Sequence, residues 1–146
     1  MNTVIKTAGV VALTEDLETV LLIKHTEKGT HKTYLYGIPG GRMEEGESEI
    51  ACAIREFKEE VGLEISDKDE LKELPKTYTG KNERKDGTRI YTLTAFLYVL
   101  PMGVQVKESE EGEVHMVKVK DVHKLPLLPN ALEMVMDAKS TLLKLR

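Results

Sequence analysis

The chain has 146 residues, 40% of them hydrophobic and 32% charged, which is typical of one soluble globular domain spanning residues 1–146. Its net charge of −4 argues against a broad basic surface, so no nucleic-acid polymer is expected as a partner. The single cysteine excludes an intrachain disulfide and favours a reducing compartment. No signal peptide is visible, and no apolar run approaches the roughly 18 residues of a membrane span. We therefore expect a cytoplasmic protein that does not enter a membrane.

The N-terminal part of the chain predicts three strands separated by polar segments. Residues 3 to 13 and 18 to 25 are rich in β-branched and aliphatic side chains, and a polar turn joins them. Residues 26 to 33 predict a polar loop, and residues 34 to 38 predict a short strand. That strand runs into Pro39-Gly40-Gly41, where the glycines let the backbone approach another group closely.

A helix is predicted directly after these glycines. Its apolar side chains recur at the spacing of one helix face: Ile50, Ile54, Phe57 and Val61. Ser48 suits the first turn, and Gly62 is placed to end the helix. Cys52 lies mid-helix, where we expect a half-buried, inert thiol and not a nucleophile.

The remainder of the chain alternates between β-rich runs and polar segments. Strands are predicted at residues 70 to 79, 88 to 100 and 113 to 119, a polar turn-rich link at 81 to 87, an acidic loop at 101 to 112 and a helix at 130 to 145. The resulting order is β-β-β-α-β-β-β-α. It predicts an α+β fold in which a mixed sheet carries a helix on either face.

Three glutamates on the first helix form an acidic cluster. Glu56 lies three residues from Glu59 and four from Glu60, so all three side chains are neighbours on the helix surface. Like charges this close repel one another, and a hard divalent cation relieves that repulsion. Ligands that are all oxygen favour magnesium, manganese or calcium over zinc. The alternative is a solvated acidic face without a ligand.

The neighbouring residues favour the ion-binding interpretation. Gly40 and Gly41 let the backbone approach the cluster and aim a carbonyl at a metal. Arg55 stands eight residues after Glu47 and one turn before Glu59, so it can pair with either and hold the loop against the helix.

Residues 41 to 63 read GRMEEGESEIACAIREFKEEVGL, with the spacing G-x5-E-x7-R-E-U-x-E-E-x-G-U, where U is a bulky apolar residue. This segment resembles the Nudix box at every fixed position, with Phe57 and Leu63 as the two apolar residues. The resemblance implies an α/β/α sandwich with a mixed sheet. It also implies hydrolysis of a pyrophosphate bond in a nucleoside diphosphate linked to a further group X.

The resemblance also implies a role for each residue of the box. Magnesium, with manganese as the alternative, is expected on Glu56, Glu59, Glu60 and the Gly40 carbonyl. Structural support is expected from Gly41, Glu47, Arg55 and Gly62. The cations would neutralise the phosphates and lower the pKa of a water, which attacks phosphorus directly with no covalent intermediate.

The general base is left open between two positions. In parts of the Nudix family it is a glutamate on a later loop, and here the loop carries Glu108, Glu110, Glu111 and Glu113. We predict Glu111, which joins Glu59, Glu60 and Arg55 in the expected catalytic set. The alternative is that this loop is solvated charge and that Glu59 activates the water.

Specificity is expected from residues outside the acidic cluster. Tyr34 and Tyr36 alternate on the predicted strand, where they either stack on a base or pack the sheet. Arg42, next to the glycine pair, is a further expected substrate contact. Asn130 follows Leu128-Pro129 and resembles the asparagine that reads an oxidised purine in MutT-type Nudix enzymes. The alternative is that Asn130 only caps the last helix.

Three functions follow from the resemblance. The first is hydrolysis of a nucleoside triphosphate, unmodified or oxidised, to monophosphate and pyrophosphate. The second keeps the chemistry but takes ADP-ribose, another sugar nucleotide or a dinucleoside polyphosphate, to which Pro75 and Tyr78 give weak support. The third is a nucleotide-binding regulatory domain, although such domains often lose box glutamates and none is lost here. Whether the chain forms a homodimer stays open.

Overall fold

The computed structural model of the chain describes residues 2–25, 34–106 and 112–146. Within these ranges it has seven strands, two α-helices and two short 3₁₀ helices. The strands are β1 Thr3–Thr14, β2 Thr19–His25, β3 Tyr36–Gly37, β4 Gly40–Arg42, β5 Leu71–Arg84, β6 Gly87–Leu100 and β7 Gly112–Lys118. The helices are α1 Glu49–Val61 and α2 Ala131–Lys144, and the 3₁₀ helices are Lys68–Glu70 and Val119–Lys124.

The strands form one mixed sheet around β1. The main order is β3-β2-β1-β6-β5, with β4 added to β1 and β7 added to β2. The long β1–β6 pair is parallel, and the other pairs are antiparallel. The mixed sheet predicted from the sequence is therefore confirmed.

Each face of the sheet buries one helix. Successive side chains of β1 point to opposite faces, so Val11 and Leu13 pack in the cluster that contains Val135 of α2. Val10 and Ala12 pack in the other cluster, which contains Phe57 of α1 and other apolar residues. The α/β/α sandwich is thus confirmed. In the parts of the chain that the structure describes, no helix is long and apolar enough to cross a membrane.

A fork between β1 and β2 determines where the glycine pair lies. The two strands pair at Ala12–Leu21 and Leu13–Val20, and then β3 pairs with β2 while β4 pairs with β1. In the fork, the Pro39 carbonyl accepts a hydrogen bond from the Val10 amide at 2.9 Å. A Cβ on Gly40 would stand 2.7 Å from the Ala8 carbonyl oxygen, so only glycine fits this approach. The fork therefore holds Gly40 against the centre of the sheet.

The glycine segment forms a further strand, β4, that the predicted order of six strands lacks. Two predicted elements also differ from the structure. The strand predicted at residues 34 to 38 is only Tyr36–Gly37, because Tyr34 has a left-handed φ of 57°. The expected alternation of Tyr34 and Tyr36 on one strand is therefore wrong.

The polar link predicted at residues 81 to 87 is also wrong. Strand β5 continues to Arg84, and residues 85 and 86 alone form the turn before Gly87. This hairpin end is mostly exposed, so its polar sequence carries no apolar alternation that would mark it as a strand.

Candidate active site

The loop and helix of the site are fixed by local interactions. Ser48 caps α1, and its hydroxyl accepts a hydrogen bond from the Ala51 amide at 3.2 Å. At the other end Gly62 adopts φ 83°, and its amide donates to the Lys58 carbonyl at 2.9 Å. Both ends of the helix are as the sequence predicts.

Arg55 forms hydrogen bonds to several parts of the site. Its Nε and Nη2 donate to the two carboxylate oxygens of Glu47 at 2.7 and 2.9 Å, a bidentate pair. Its Nη1 donates to Glu56 at 2.8 Å and reaches Glu59 at 3.3 Å. Nη2 also donates to the Arg42 carbonyl at 3.1 Å. One guanidinium thus joins the loop, the strand β4 and two of the three helix glutamates.

The Glu47–Arg55 pair is fully ionised at ordinary pH. The hydrogen bond from Arg55 is the main cause that lowers the pKa of Glu47 to about 2. The same contact is the main cause that raises the pKa of Arg55 above its usual range. The loop is therefore attached to the helix by a permanent ion pair, as the sequence predicts.

Glu56 lies directly over Gly41. A Cβ on Gly41 would stand 2.5 Å from the Glu56 carboxyl carbon and 2.6 Å from its Oε1. The Glu56 side chain is only 16% exposed. The Glu56 carboxylate therefore occupies the space that a side chain at residue 41 would fill.

Glu60 is the buried member of the cluster. The residue is 4% exposed, and its Oε1 accepts a hydrogen bond from the Gly40 amide at 3.1 Å. The side chain of Glu59, by contrast, is 56% exposed. The structure therefore brings Glu56 and Glu60 against the glycine pair, with Glu59 at the solvent side.

The carboxylate oxygens and the glycine backbone form a donor set that fits a hard divalent cation. Across the described ranges, no three His, Cys, Asp or Glu side chains already stand in a metal-binding arrangement. Arg55 Nη1 contacts both Glu56 and Glu59 in the structure. The types of donor present therefore fit a divalent cation, while their positions in this structure do not converge on one point.

Cys52 is a structural residue. It is fully buried, not half-buried as predicted, and its Sγ lies 3.5 Å from the Gly41 carbonyl oxygen. Burial is the main cause that raises the pKa of the thiol to about 11. The expectation of an inert thiol agrees with this environment.

Asn130 makes a contact that neither sequence interpretation included. It stands at the N-cap position of α2 with φ 68°, but its side chain makes no capping hydrogen bond. Its Nδ2 instead donates to the Thr79 carbonyl of β5 at 2.9 Å. The side chain therefore ties α2 to the sheet, and its role toward a substrate stays a prediction.

Tyr36 and Tyr34, the two predicted aromatic specificity residues, have different environments. The Tyr36 ring packs edge-on to His115, with 5.5 Å between centroids, and Lys24 Nζ lies 5.9 Å from the Tyr36 centroid. Tyr34 is 46% exposed. Tyr36 thus packs on the sheet, as one of the two interpretations expects.

The predicted base cannot be placed. Glu108, Glu110 and Glu111 lie outside the described residues, so the prediction of Glu111 is untested. Glu113 lies on β7, where its Oε1 is 3.0 Å from His115 Nε2. Glu113 is therefore engaged with a neighbour on its own strand.

Arg42 connects the box to a surface that sequence reasoning missed. Its carbonyl binds Arg55, while its guanidinium carbon lies 5.9 Å from the centre of the Tyr91 ring. Tyr91 and the nearby Arg89 were not predicted as site residues. The dipeptide Asp86-Gly87 is a hairpin signal that would have paired β5 with β6 and brought Arg89 to this surface.

Comparisons with known proteins agree with the geometry. The family model for the NUDIX domain matches residues 4–138. An uncharacterized Nudix hydrolase of Bacillus subtilis (strain 168), YvcI, is 34% identical over 116 residues, which cover 75% of this chain and 65% of that protein. The chain therefore spans slightly less than two thirds of that relative's length.

Two solved structures have the same fold. A MutT/nudix family protein from Enterococcus faecalis has a TM-score of 0.73 at 20% identity, over 96% of this chain and 62% of that one. An Ap4A hydrolase from C. elegans has a TM-score of 0.69 at 21% identity, over 96% of this chain and 98% of that one. Since the family match covers most of the sequence and the box has its expected geometry, the chain belongs to the Nudix hydrolase family.

Proposed function

We propose that the protein hydrolyses a pyrophosphate bond in a nucleoside diphosphate linked to a group X. The observation that carries this proposal is the acidic cluster on α1. The Glu56 carboxylate fills the space that a side chain at Gly41 would occupy. Glu60 Oε1 accepts a hydrogen bond from the Gly40 amide at 3.1 Å. Carboxylates held this close to bare backbone suit a divalent cation and a phosphate chain.

Each residue of the cluster has a proposed part. Glu56, Glu59, Glu60 and the Gly40 carbonyl would hold magnesium or manganese. When bound, such a cation neutralises phosphate charge and makes a water molecule more acidic. Arg55 would position Glu56 and Glu59 through its hydrogen bonds at 2.8 and 3.3 Å.

Direct attack by water on one phosphorus requires a base. Glu111 and Glu59 are the two candidates, because each carries a carboxylate that can take the proton from the water. Glu59 is supported by its exposure of 56% and by its place one helix turn from Arg55. Glu111→Gln, measured at saturating magnesium, separates the two: turnover is lost with unchanged magnesium affinity if Glu111 is the base, and is kept if Glu59 is the base.

A nucleoside triphosphate is the proposed substrate. The dinucleoside polyphosphate alternative loses the support of Tyr78, which is 4% exposed and donates its hydroxyl to Asp137 Oδ2 at 2.6 Å. A buried, hydrogen-bonded phenol is not available to stack on a base. Hydrolysis of ADP-ribose, another sugar nucleotide or a dinucleoside polyphosphate, and nucleotide binding without turnover, are the alternatives.

A turnover screen with magnesium tests the proposal. The panel holds unmodified and 8-oxo deoxynucleoside triphosphates, ADP-ribose, NADH and diadenosine polyphosphates, with products identified by mass. Glu60→Gln is the inactive variant, because its amide oxygen still accepts from Gly40 while the charge is lost. Glu64→Gln is the matched control, since the Glu64 side chain is 68% exposed and outside the cluster.

The expected result is turnover of a triphosphate to monophosphate and pyrophosphate, lost in Glu60→Gln and kept in Glu64→Gln. Nucleotide and magnesium binding without turnover of any compound would contradict the proposal and favour a regulatory domain. Full activity in folded Glu60→Gln would contradict the assignment of the cluster.

A further inference from the structure

A shallow groove lies beside the box, at the beginning of β1. Its lining residues are Thr3, Ile5, Arg42, Asp86, Gly87, Thr88 and Arg89. Odd-numbered residues of β1 face the α2 side of the sheet, as Val11 and Leu13 do. Thr3 and Ile5 therefore place the groove on that face, in the open part of the sheet ahead of α2.

The groove carries two arginines that approach it from different strands. Arg42 of β4 is opposite Thr7, and Arg89 of β6 is opposite Thr3. Four residues of β1 separate these positions, which is about 13 Å along the strand. The two arginines thus lie on the strands at either side of β1.

No carboxylate of the described residues forms an ion pair within 4.0 Å with Arg42 or Arg89. Asp86 is the one carboxylate that lines the groove, so the lining keeps a net positive charge. The protein as a whole has a net charge of −4, so the positive charge of the groove is local.

Arg42 connects the groove to the acidic cluster through hydrogen bonds. The Arg42 carbonyl accepts a hydrogen bond from Arg55 Nη2 at 3.1 Å, and Arg55 in turn holds Glu56. The Arg42 side chain leaves the same backbone toward Tyr91, with 5.9 Å between the guanidinium carbon and the ring centre. Arg42 therefore contacts the box through its backbone and lines the groove with its side chain.

The lining of the groove favours a polar ligand. The lining is more polar than apolar, whereas pockets for whole organic ligands are mainly apolar. Phosphate oxygens suit two arginines, because guanidinium groups bind them with paired, charge-assisted hydrogen bonds.

We propose that the Arg42–Arg89 groove binds the phosphate groups of X, on the far side of the bond that is cut. This proposal rests on the proposed function and narrows it to substrates whose X carries phosphate. Nucleoside triphosphates and polyphosphates belong to this class, whereas ADP-ribose does not, because its X is an uncharged ribose. Arg89 is the residue that distinguishes these substrates.

Direct binding of inorganic tripolyphosphate, measured by calorimetry with magnesium present, tests the groove without any turnover. Arg89→Gln is expected to weaken binding about fivefold, the upper end for an exposed ion pair. Asp86→Asn is expected to strengthen it, because the opposing charge is removed. Arg84→Gln is the matched control, since Arg84 is exposed on the same hairpin but does not line the groove.

Steady-state kinetics give a second readout that a general loss of structure would not produce. Arg89→Gln should raise KM for a nucleoside triphosphate about fivefold and leave the KM for ADP-ribose at the wild-type value. Equal effects of Arg89→Gln and Arg84→Gln on tripolyphosphate binding would contradict phosphate binding in the groove. Weaker binding in Asp86→Asn would contradict it as well.

Failure of the proposed function has a different signature. Absence of all turnover, with Arg89-dependent tripolyphosphate binding, would reject the hydrolase and keep the groove. Turnover of a triphosphate with unchanged KM in Arg89→Gln would keep the hydrolase and reject the groove.

Discussion

Gly41→Ala is a direct probe of the acidic cluster. The added Cβ would stand 2.5 Å from the Glu56 carboxyl carbon, 2.6 Å from Oε1 and 2.7 Å from Oε2. Ordinary contact between such atoms begins near 3.5 Å, so the carboxylate must move by about 1 Å. The Glu56 carboxylate is the end of a flexible side chain, and we therefore expect it to move while the backbone stays in place.

The displacement breaks the hydrogen bond of 2.8 Å between Arg55 Nη1 and Glu56 Oε1. A hydrogen bond between charged groups contributes about 1.5–3 kcal/mol when buried, and partial exposure reduces this to roughly 1–2 kcal/mol. The free energy of unfolding should fall by that amount. The magnesium concentration for half-maximal turnover should rise about tenfold, since a loss of 1.4 kcal/mol in binding is a factor of ten.

Urea unfolding and a magnesium titration of turnover measure the two quantities. Gly80→Ala is the matched control, because a Cβ at Gly80 meets nothing within 4 Å. The control should behave as wild type in both assays. If Gly41→Ala also behaved as wild type, the close approach of Glu56 to the glycine would not be part of the site.

Three further predictions concern the frame of the site. Gly40→Ala should lower the free energy of unfolding by about 2 kcal/mol or more. The new Cβ would stand 2.7 Å from the backbone oxygen of Ala8, and neither strand can move easily. A urea midpoint equal to that of Gly80→Ala would contradict this. Ser48→Ala should cost about 1 kcal/mol by removing the α1 cap, as measured by the same unfolding experiment; no loss would mean that the cap is not used. The low pKa of Glu47, about 2 against an ordinary 4.5, stabilises the fold fully above pH 4.5 and progressively less as pH falls toward 2. The difference in unfolding free energy between wild type and Glu47→Gln should therefore be roughly 1–3 kcal/mol at pH 7 and shrink below pH 4, whereas a difference independent of pH would contradict the ion pair.

The helices and the sheet core were predictable because their signals are local. The apolar spacing of α1, with Phe57 and Val61, and the glycine at residue 62 determine that helix without any long-range contact. The long strands β1 and β6 also follow from their apolar composition. The end of the β5–β6 hairpin was not predictable in this way, because both of its faces are exposed and no alternation of apolar residues marks it.

The acidic cluster was also predictable, because residues three and four apart on a helix must be neighbours. The contact of Glu47 with Arg55 followed from the eight-residue spacing. The contacts that depend on strand register were not predictable from local patterns. Arg42 approaches Tyr91 because β4 and β6 both pair with β1, each in one particular register. Asn130 reaches Thr79 because α2 packs beside β5.

The most direct test of the account is hydrolysis in ¹⁸O-labelled water with the best triphosphate of the screen. Water attack at a single phosphorus predicts one ¹⁸O atom per turnover, in either the monophosphate or the pyrophosphate, with Glu60→Gln releasing neither. Mass spectrometry of both products measures this. Release of orthophosphate and nucleoside diphosphate would contradict cleavage between the α and β phosphates. The same labelled products from folded Glu60→Gln would contradict hydrolysis at the α1 carboxylates.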